Sequence, residues 1–255
     1  MPSYPIKINK RKAKTQYWQE RIELAAAFRW TARLNMHEAV GNHLSLSVSE
    51  DGTKFLINPN LMHFSLIRAS DLILLDSEDP ETMKRPYAPD PSAWGLHGSI
   101  HRLCTNFRCV MHVHPTFSTT LASLKDSNLP PIDQNSASFF GRVVIDENFG
   151  GIALQSEGER CALLLNDPKT QILVMGNHGI LALGETVCET FTRLYYFERA
   201  AENYVRALQT QKPLRIMSNN LAKKVADDLE DYYKNYNYLN ALKRILDKED
   251  SDYAS

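Results

Sequence analysis

The sequence has no excess of charge of either sign. Its 255 residues include 29 basic and 30 acidic side chains, which leave a formal net charge of -1 at pH 7. Domains that bind nucleic acid normally present a strongly basic surface, so this balance argues against a nucleic-acid partner. We therefore expect the chain to act on a small molecule or to bind another protein.

Long hydrophobic runs and paired cysteines are also absent. Nowhere does the sequence contain the roughly 18 consecutive apolar residues of a transmembrane helix, and no apolar run follows the basic N-terminal stretch as in a signal peptide. The four cysteines form no Cys-x-x-Cys pair, and most have apolar neighbours, which is typical of buried free thiols. We expect a cytoplasmic protein without a membrane partner.

Length and composition bound the number of domains. With 43% hydrophobic residues, the chain can form one large domain with a full core. We predict a basic N-terminal tail over residues 1–16, one domain over residues 17–210 and a C-terminal helical extension over residues 211–255. Short basic termini are usually solvated, so we interpret the tail in that way rather than as an anchor for acidic surfaces.

Helical and strand periodicities alternate along the chain. Apolar spacing predicts a helix from Tyr17 to about Asn35, and the Asp51–Gly52 turn between alternating residues predicts a β-hairpin. Further strands are predicted over residues 71–76, residues 108–114 and the segments QILVMG and ILAL. Further helices are predicted over residues 92–102, 116–124 and 185–208, from residue 156 onward, and over residues 219–247. This mixed order predicts an α/β fold, a three-layer αβα sandwich around a mostly antiparallel central sheet.

The segment CVMHVHP contains two histidines at strand spacing, His112 and His114. Residues two apart on a strand project from the same face, so both imidazoles can be directed at one point. A third neutral nitrogen would complete one face of the coordination shell of a divalent metal ion. The alternative is a pair of ordinary sheet histidines, each of which would need buried hydrogen-bond partners.

A second histidine pair, His97 and His101, is spaced four apart on a predicted helix and so shares one helix face. Helical zinc proteases use this spacing but carry a Glu after the first histidine, where this chain has Gly98. We interpret the pair as hydrogen-bonded core histidines, with metal binding as the alternative. The remaining isolated histidines receive a surface or structural interpretation, and they are His37, His43 and His63.

The tripeptide Asn177-His178-Gly179 joins two predicted strands. Gly179 would let the backbone come close to whatever occupies the turn. His178 is therefore a candidate ligand, although a turn of this kind also serves simply to reverse the chain.

Taken in order, several segments resemble the class II aldolase and adducin head domain family. They are AVGNHLSLS, a Pro-rich loop, SAWGLHGSIHRLCTNFRCVMHVHP and MGNHGILALGETVCETF, and the resemblance runs from about Tyr17 to Leu208. The family includes fuculose-phosphate aldolase, ribulose-phosphate 4-epimerase, a methylthioribulose-phosphate dehydratase and the non-enzymatic adducin heads. The resemblance implies that His112, His114 and His178 hold a zinc-like ion.

Two departures from the family bear on activity. The aldolases carry a Glu four residues before the helix histidine, where this chain has Ala93, and a phosphate-binding loop resembling TPTG, where this chain reads Asn-Pro-Asn-Leu with Leu61 last. Asn42 and Ser92 occupy matching positions. The resemblance therefore implies that Asn42, Ser92 and Asn60 bind the substrate, while the acid-base Glu and the phosphate grip are lost.

Acid-base candidates come from the segment DQNSASFFGRVVIDENFGG, which in the family approaches the metal. Asp133 and Glu147 are the acidic residues that we predict to be catalytic. The alternative is that Asp133, with its neighbour Gln134, caps or turns the loop and that Glu147 is solvated.

These features predict a metal-dependent, aldolase-like lyase, epimerase or dehydratase that acts on an unphosphorylated hydroxy-carbonyl compound through a metal-stabilised enediolate. The expected cofactor is zinc, with manganese or iron as alternatives. Two other functions stay open, an iron-dependent oxygenase or decarboxylase and a non-catalytic adducin-like interaction module. By analogy with the family, we expect a homotetramer.

Overall fold

A computed structural model of the chain describes residues 16–85, 88–148, 151, 154–234 and 236–255. The predicted basic tail lies almost wholly outside these residues. Seven strands are described: β1 (His43–Ser47), β2 (Lys54–Ile57), β3 (Ile73–Asp76), β4 (Cys109–Val113), β5 (Val143–Asp146), β6 (Ile172–Met175) and β7 (Gly179–Gly184). The helices are α1 (Trp18–Arg33), α2 (Pro91–Ala93), α3 (Ser99–Leu103), α4 (Thr116–Ala122), α5 (Gln134–Ser138), α6 (Leu154–Leu164), α7 (Val187–Gln209), α8 (Asn219–Lys234) and α9 (Tyr238–Glu249).

The strands form one sheet in the order β3-β2-β1-β4-β7-β6-β5. Every neighbouring pair is antiparallel except β5 and β6, which are parallel. The prediction of a mostly antiparallel sheet is thus confirmed. Strand β5 was not predicted, because its four residues give too short a pattern to separate from the surrounding aromatic and Gly-rich segment.

Helices cover both faces of the sheet, as the predicted αβα sandwich requires. One face packs against α1 and α7, where Leu24 and Phe191 join Met111 of β4 in a single buried core. The other face packs against α3 and α6, where Ile100 and Cys161 meet alternate residues of the central strands. The strands β1, β4, β6 and β7 are therefore buried on both faces, and the polar side chains on them must find partners inside the protein.

The helix predicted over residues 92–102 is interrupted in its middle. It begins as α2, continues as one turn of π-helix over Trp94–Gly98 and ends as α3. The N-cap is Asp90, which lies before the predicted range and accepts a hydrogen bond from the Ser92 backbone N–H, with Pro91 at the first helical position. Single turns of π-helix occur frequently at functional sites.

The C-terminal extension folds back onto the sandwich. Instead of the single helix expected over residues 219–247, two helices form, α8 and α9. The segment after α9 is tied to α1 by Arg29, which is buried and lies 2.9 Å from Asp250 and 3.1 Å from Asp252. No helix among the described residues is long and apolar enough to cross a membrane.

Candidate metal centre

Three histidines converge at one end of the sheet. His112 is the fourth residue of β4, His114 follows the last residue of that strand, and His178 occupies the turn between β6 and β7. The antiparallel pairing of Val113 with Ile180 brings the end of β4 beside the start of β7. One nitrogen from each of the three rings lies within 4.8 Å of the other two. The sequence-predicted ligand set is therefore brought together by the sheet itself.

The tautomer of His112 is fixed by the backbone. Its Nδ1–H donates to the carbonyl oxygen of Ile180 at 3.1 Å, since a carbonyl can only accept. Its Nε2 therefore carries the lone pair, and this atom lies 3.1 Å from Nε2 of His114. With metal–nitrogen bonds of about 2.0–2.1 Å, two ligating nitrogens stand about 2.9 Å apart in an octahedron and about 3.3 Å apart in a tetrahedron. The observed separation falls between these values, so the pair fits a divalent ion.

Burial keeps His112 and His114 neutral. It lowers the pKa of His112 well below its ordinary value, with a further contribution from neighbouring imidazoles, His114 first. Burial and the neighbouring His178 lower the pKa of His114 to about 4. Metal ligation requires a deprotonated imidazole, so these two side chains are in the correct state at neutral pH.

The conformation of the His178 turn depends on its two neighbours. Asn177 adopts the left-handed backbone conformation with φ of 59°, and its N–H donates to the Ala122 carbonyl at 2.9 Å. A Cβ on Gly179 would lie 2.4 Å from Cδ2 of His114, so only glycine leaves room for that ring. The sequence indicated that a group approaches Gly179 closely, and that group is the His114 ring.

One acidic residue at this centre was not among the predicted site residues. Glu157, in the first turn of α6, is 6% exposed, and its Oε1 lies 3.4 Å from Nδ1 of His178. Acidic residues are common in the first turn of a helix, where they suit the helix dipole, so the sequence alone gives Glu157 no special role. A signal was available in Gly158, because a glycine inside a helix is unfavourable by about 1 kcal/mol and frequently marks a close backbone approach.

A row of buried histidines continues inward from the centre. His43 pairs with His112 across β1 and β4 and stacks on its ring, with centroids 5.4 Å apart. Further along, the Oγ of Ser45 lies 2.6 Å from Nδ1 of His97 and 2.8 Å from Nε2 of His101. The hydrogen-bonded interpretation of His97 and His101 is supported by these contacts, and neither belongs to the cluster of ligating nitrogens.

Desolvation keeps this row uncharged as well. Burial lowers the pKa of His43 to about 4 and that of His101 to about 3, and it lowers the pKa of His97 well below the ordinary value. For His43 the structural interpretation holds and the surface interpretation is wrong, since this residue is only 3% exposed.

The predicted substrate-binding residues have different surroundings. Asn42 is fully buried and accepts a hydrogen bond from the His114 backbone N–H at 3.3 Å, while its Nδ2 has no hydrogen-bond partner among the described residues. Ser92 donates to Asp90, and its Oγ lies 3.3 Å from Nε2 of His43. Asn60 is an exposed turn residue.

The predicted acid-base residues, Asp133 and Glu147, have surroundings that do not include the three histidines among their described hydrogen-bond partners. Asp133 caps α5, with Oδ1 accepting from the Ser136 backbone N–H at 2.7 Å and Oδ2 accepting from Asn203 at 2.6 Å. Glu147 is exposed and directly follows β5, whose last residue pairs with Met175 just before the His178 turn. The catalytic assignment of Asp133 and Glu147 stays a prediction, and for Asp133 the contacts favour the capping alternative.

The two departures at Ala93 and Leu61 have clear structural correlates. Ala93 is 2% exposed and packs in a small core with Phe55 and Ile57 on the sheet face that carries His112. Leu61 is 76% exposed and adopts the left-handed conformation with φ of 58°, a region that suits glycine. An apolar side chain therefore projects from the loop where the resemblance expects a phosphate grip.

Comparison with known proteins gives a consistent result. A family model described as Class II Aldolase and Adducin N-terminal domain matches residues 22–205. An adducin-related protein of Schizosaccharomyces pombe is 30% identical over 250 residues, which cover 91% of this chain and 75% of that protein. A protein of Streptomyces niveus named as a decarboxylase is 28% identical over 165 residues, 64% of this chain and 60% of that protein. The crystal structure of an aldolase II superfamily protein from Pseudomonas syringae superposes with a TM-score of 0.81 and 28% identity, covering 97% of this chain and 99% of that one.

Proposed function

The chain belongs to the class II aldolase and adducin family, and from this premise we propose that it is a metal-dependent lyase of the aldolase type, or an epimerase or dehydratase of related chemistry. Its substrate is an unphosphorylated hydroxy-carbonyl compound. The observation that carries the proposal is the convergence of His112, His114 and His178 within 4.8 Å.

Zinc is the proposed ion, with manganese or iron as alternatives, and the three imidazoles are its ligands. A divalent ion held there supplies Lewis-acid stabilisation of negative charge on a substrate oxygen. Support for a functional rather than a structural site comes from exposure, because His114 and His178 are only partly buried. A purely structural zinc site is normally closed by four protein ligands, whereas a catalytic one keeps a position open to substrate.

Asn42 is the proposed hydrogen-bond donor to the substrate. The His114 backbone N–H donates to its Oδ1, while its buried Nδ2 has no hydrogen-bond partner among the described residues. A buried amide N–H without a partner is unfavourable by about 1–3 kcal/mol, and a substrate oxygen would relieve this penalty. Asp133 and Glu147 remain the proposed acid-base candidates, and Ser92 and Asn60 the other proposed substrate contacts.

The preference for an unphosphorylated substrate rests on Leu61 and Ala93. A phosphate needs several hydrogen-bond donors to offset the loss of its hydration, and the exposed leucine side chain offers none. The methyl group of Ala93 can neither bind a metal ion nor transfer a proton. Both changes therefore act against the phosphosugar chemistry of the family's aldolases.

A decarboxylase, or an iron-dependent oxygenase, is the second candidate. It is favoured by the relative from Streptomyces niveus that is named as a decarboxylase. Three histidines on one face of iron(II) would leave positions for substrate and oxygen, as the two-histidine one-carboxylate triad does. The adducin-related relative keeps a third possibility open, an interaction module without turnover.

Metal content and substrate consumption test these alternatives together. We would purify the protein without chelators, determine its metals by elemental analysis and assay a panel of hydroxy-ketones, hydroxy-acids and their phosphate esters with and without oxygen. The proposal predicts one zinc or manganese ion per chain and oxygen-independent turnover of unphosphorylated compounds. Stoichiometric iron with oxygen-dependent turnover would support the oxygenase. A metal-free, inactive protein would contradict both the lyase proposal and the oxygenase proposal.

We also propose a cytoplasmic homotetramer, by analogy with the family. Light scattering should then give a particle of four times the 29.0 kDa chain mass. A mass of one chain at micromolar concentration would contradict the assembly without bearing on the metal site.

A further inference from the structure

We propose that Glu157 is a positioning residue of the metal centre, which accepts the Nδ1–H of His178 and thereby directs the Nε2 lone pair of that ring at the ion. The inference rests on the proposed metal site. Its starting observation is the 3.4 Å separation between Glu157 Oε1 and His178 Nδ1 at a site where the carboxylate is 6% exposed.

Backbone packing holds Glu157 at this position. The next residue, Gly158, faces the π-helical turn so closely that a Cβ there would lie 2.0 Å from the carbonyl oxygen of Gly95. Helix α6 can approach the turn only because residue 158 has no side chain. The backbone position of the neighbouring Glu157 therefore depends on a contact between two backbones.

The charge of Glu157 is not neutralised by its nearest cation. The Nη2 of Arg160 lies 4.0 Å from Glu157 Oε1 but 2.8 Å from Oδ2 of Asp146, and Nε of the same guanidinium also donates to that oxygen at 3.0 Å. Arg160 is thus committed to the buried Asp146. Within the described residues, Glu157 Oε1 accepts no hydrogen bond of ordinary geometry, so its 3.4 Å separation from His178 Nδ1 must shorten for the proposed bond to form. A buried carboxylate in this condition is unfavourable, and a divalent ion behind His178 would supply the missing positive charge.

The same arrangement already exists at the neighbouring ligand. The Ile180 carbonyl takes the Nδ1–H of His112 and leaves Nε2 for ligation. Metal-binding histidines almost always donate their second N–H to a carboxylate, a carbonyl or water, and this bond fixes both tautomer and ring orientation. Glu157 is not a member of the mutually close group formed by the three ring nitrogens. The carboxylate therefore acts through His178 and is not a fourth ligand.

Metal affinity and the spectrum of bound cobalt test this role. Chelator-competition titrations with Zn²⁺ and absorption spectra with Co²⁺ would compare the parent with Glu157→Ala, Glu157→Gln and the control Glu159→Gln, a half-exposed acid of the same helix. We expect Glu157→Ala to weaken Zn²⁺ binding about 100-fold and to shift the Co²⁺ ligand-field bands. Glutamine retains an accepting oxygen, so Glu157→Gln should lose only about tenfold, and the control should match the parent.

Melting temperatures recorded by circular dichroism would identify the variants that fold. A folded Glu157→Ala protein with affinity within twofold of the parent and an unchanged cobalt spectrum would overturn the inference and leave the proposed metal enzyme intact. If the alanine variant does not fold, Glu157→Gln decides, and parental affinity and spectrum there would overturn the inference. A parent that binds neither ion would overturn both the inference and the proposed function.

Discussion

The imidazole of His114 occupies the space that a side chain at Gly179 would need. A Cβ on Gly179 would lie 2.4 Å from His114 Cδ2, 3.2 Å from its Nε2 and 2.8 Å from the Val113 carbonyl oxygen. The Nε2 atom is the one that faces His112 at 3.1 Å. A larger residue at Gly179 would therefore have to displace the His114 ring or the Val113 backbone.

Replacing Gly179 by alanine should accordingly weaken metal binding. The new Cβ must displace the His114 ring or the Val113 backbone, at a cost of about 1–3 kcal/mol in the free energy of unfolding and at least tenfold in Zn²⁺ affinity. Gly141→Ala is the matched control, because Gly141 has φ of 71° but no atom within 4 Å of its Cβ position. It should lower stability by about 1–2 kcal/mol and leave metal binding unchanged. Equal affinities for both variants would contradict the steric argument.

Removal of His114 should abolish metal binding, since two imidazoles hold a first-row ion only weakly. Zinc titration of His114→Ala would measure the loss against the parent. His97→Ala provides the comparison, because His97 bonds to Ser45 and lies outside the ligand cluster. The ligand set is wrong if the His114 variant binds zinc as tightly as the parent while the His97 variant does not.

Ketose phosphates should be poor substrates. A reaction that depends on the acid-base Glu loses roughly 10² to 10⁴ in rate when alanine replaces it, as at Ala93, and Leu61 removes hydrogen bonds to phosphate. Coupled detection of dihydroxyacetone phosphate with fuculose 1-phosphate and added metal would measure the activity. A kcat/KM of about 10⁴ M⁻¹s⁻¹ or more would contradict the prediction and require another residue to take the role. Asp133 would then be the first to mutate.

The buried histidines should make stability depend on pH in a defined window. Burial holds the pKa of His43 at about 4 and that of His101 at about 3, whereas the unfolded chain titrates near the ordinary 6.5. Between these values the unfolded state binds more protons, so the stabilisation is complete above about pH 6.5 and declines as pH falls towards 4. Urea unfolding in chelator between pH 7 and pH 5 would record the decline.

A variant separates this effect from the titration of other groups. His43→Asn should lower the slope of unfolding free energy against pH by at most about 1.4 kcal/mol per pH unit, the value for one proton. Carboxylates contribute little above pH 5, which is why the comparison stops there. A parent whose unfolding free energy is constant from pH 7 to pH 5 would show that these histidines do not remain neutral in the folded state.

The fold and the members of the three-histidine cluster were largely predictable from sequence. Strand alternation alone puts His112 and His114 on one side of β4, and the apolar periodicity of α1 and α7 is long enough to be unambiguous. His178 is different, because nothing local distinguishes a ligand-bearing turn from a simple reversal. Only the combined order of motifs joined it to the other two.

Other features depend on tertiary contacts that have no local pattern. The π-helical turn at Trp94–Gly98 and the parallel strand β5 follow from packing against neighbours rather than from spacing. Glu157 was missed because acids are common in the first turn of any helix. Asp133 was predicted to be catalytic, whereas its contacts with Ser136 and Asn203 are those of a cap, which sequence had offered only as the alternative.

The backbone contact between Gly158 and Gly95 also constrains how relatives can diverge. Side-chain contacts tolerate compensating exchanges, in which one residue grows as its neighbour shrinks, but two abutting backbones leave no partner that could shrink. A relative with any larger residue at position 158 must separate α6 from the π-helical turn, and the acid beside it then moves away from the His178 turn. A glycine outside the three-histidine cluster thus becomes a diagnostic position for sorting members of the family by the geometry of the corresponding site.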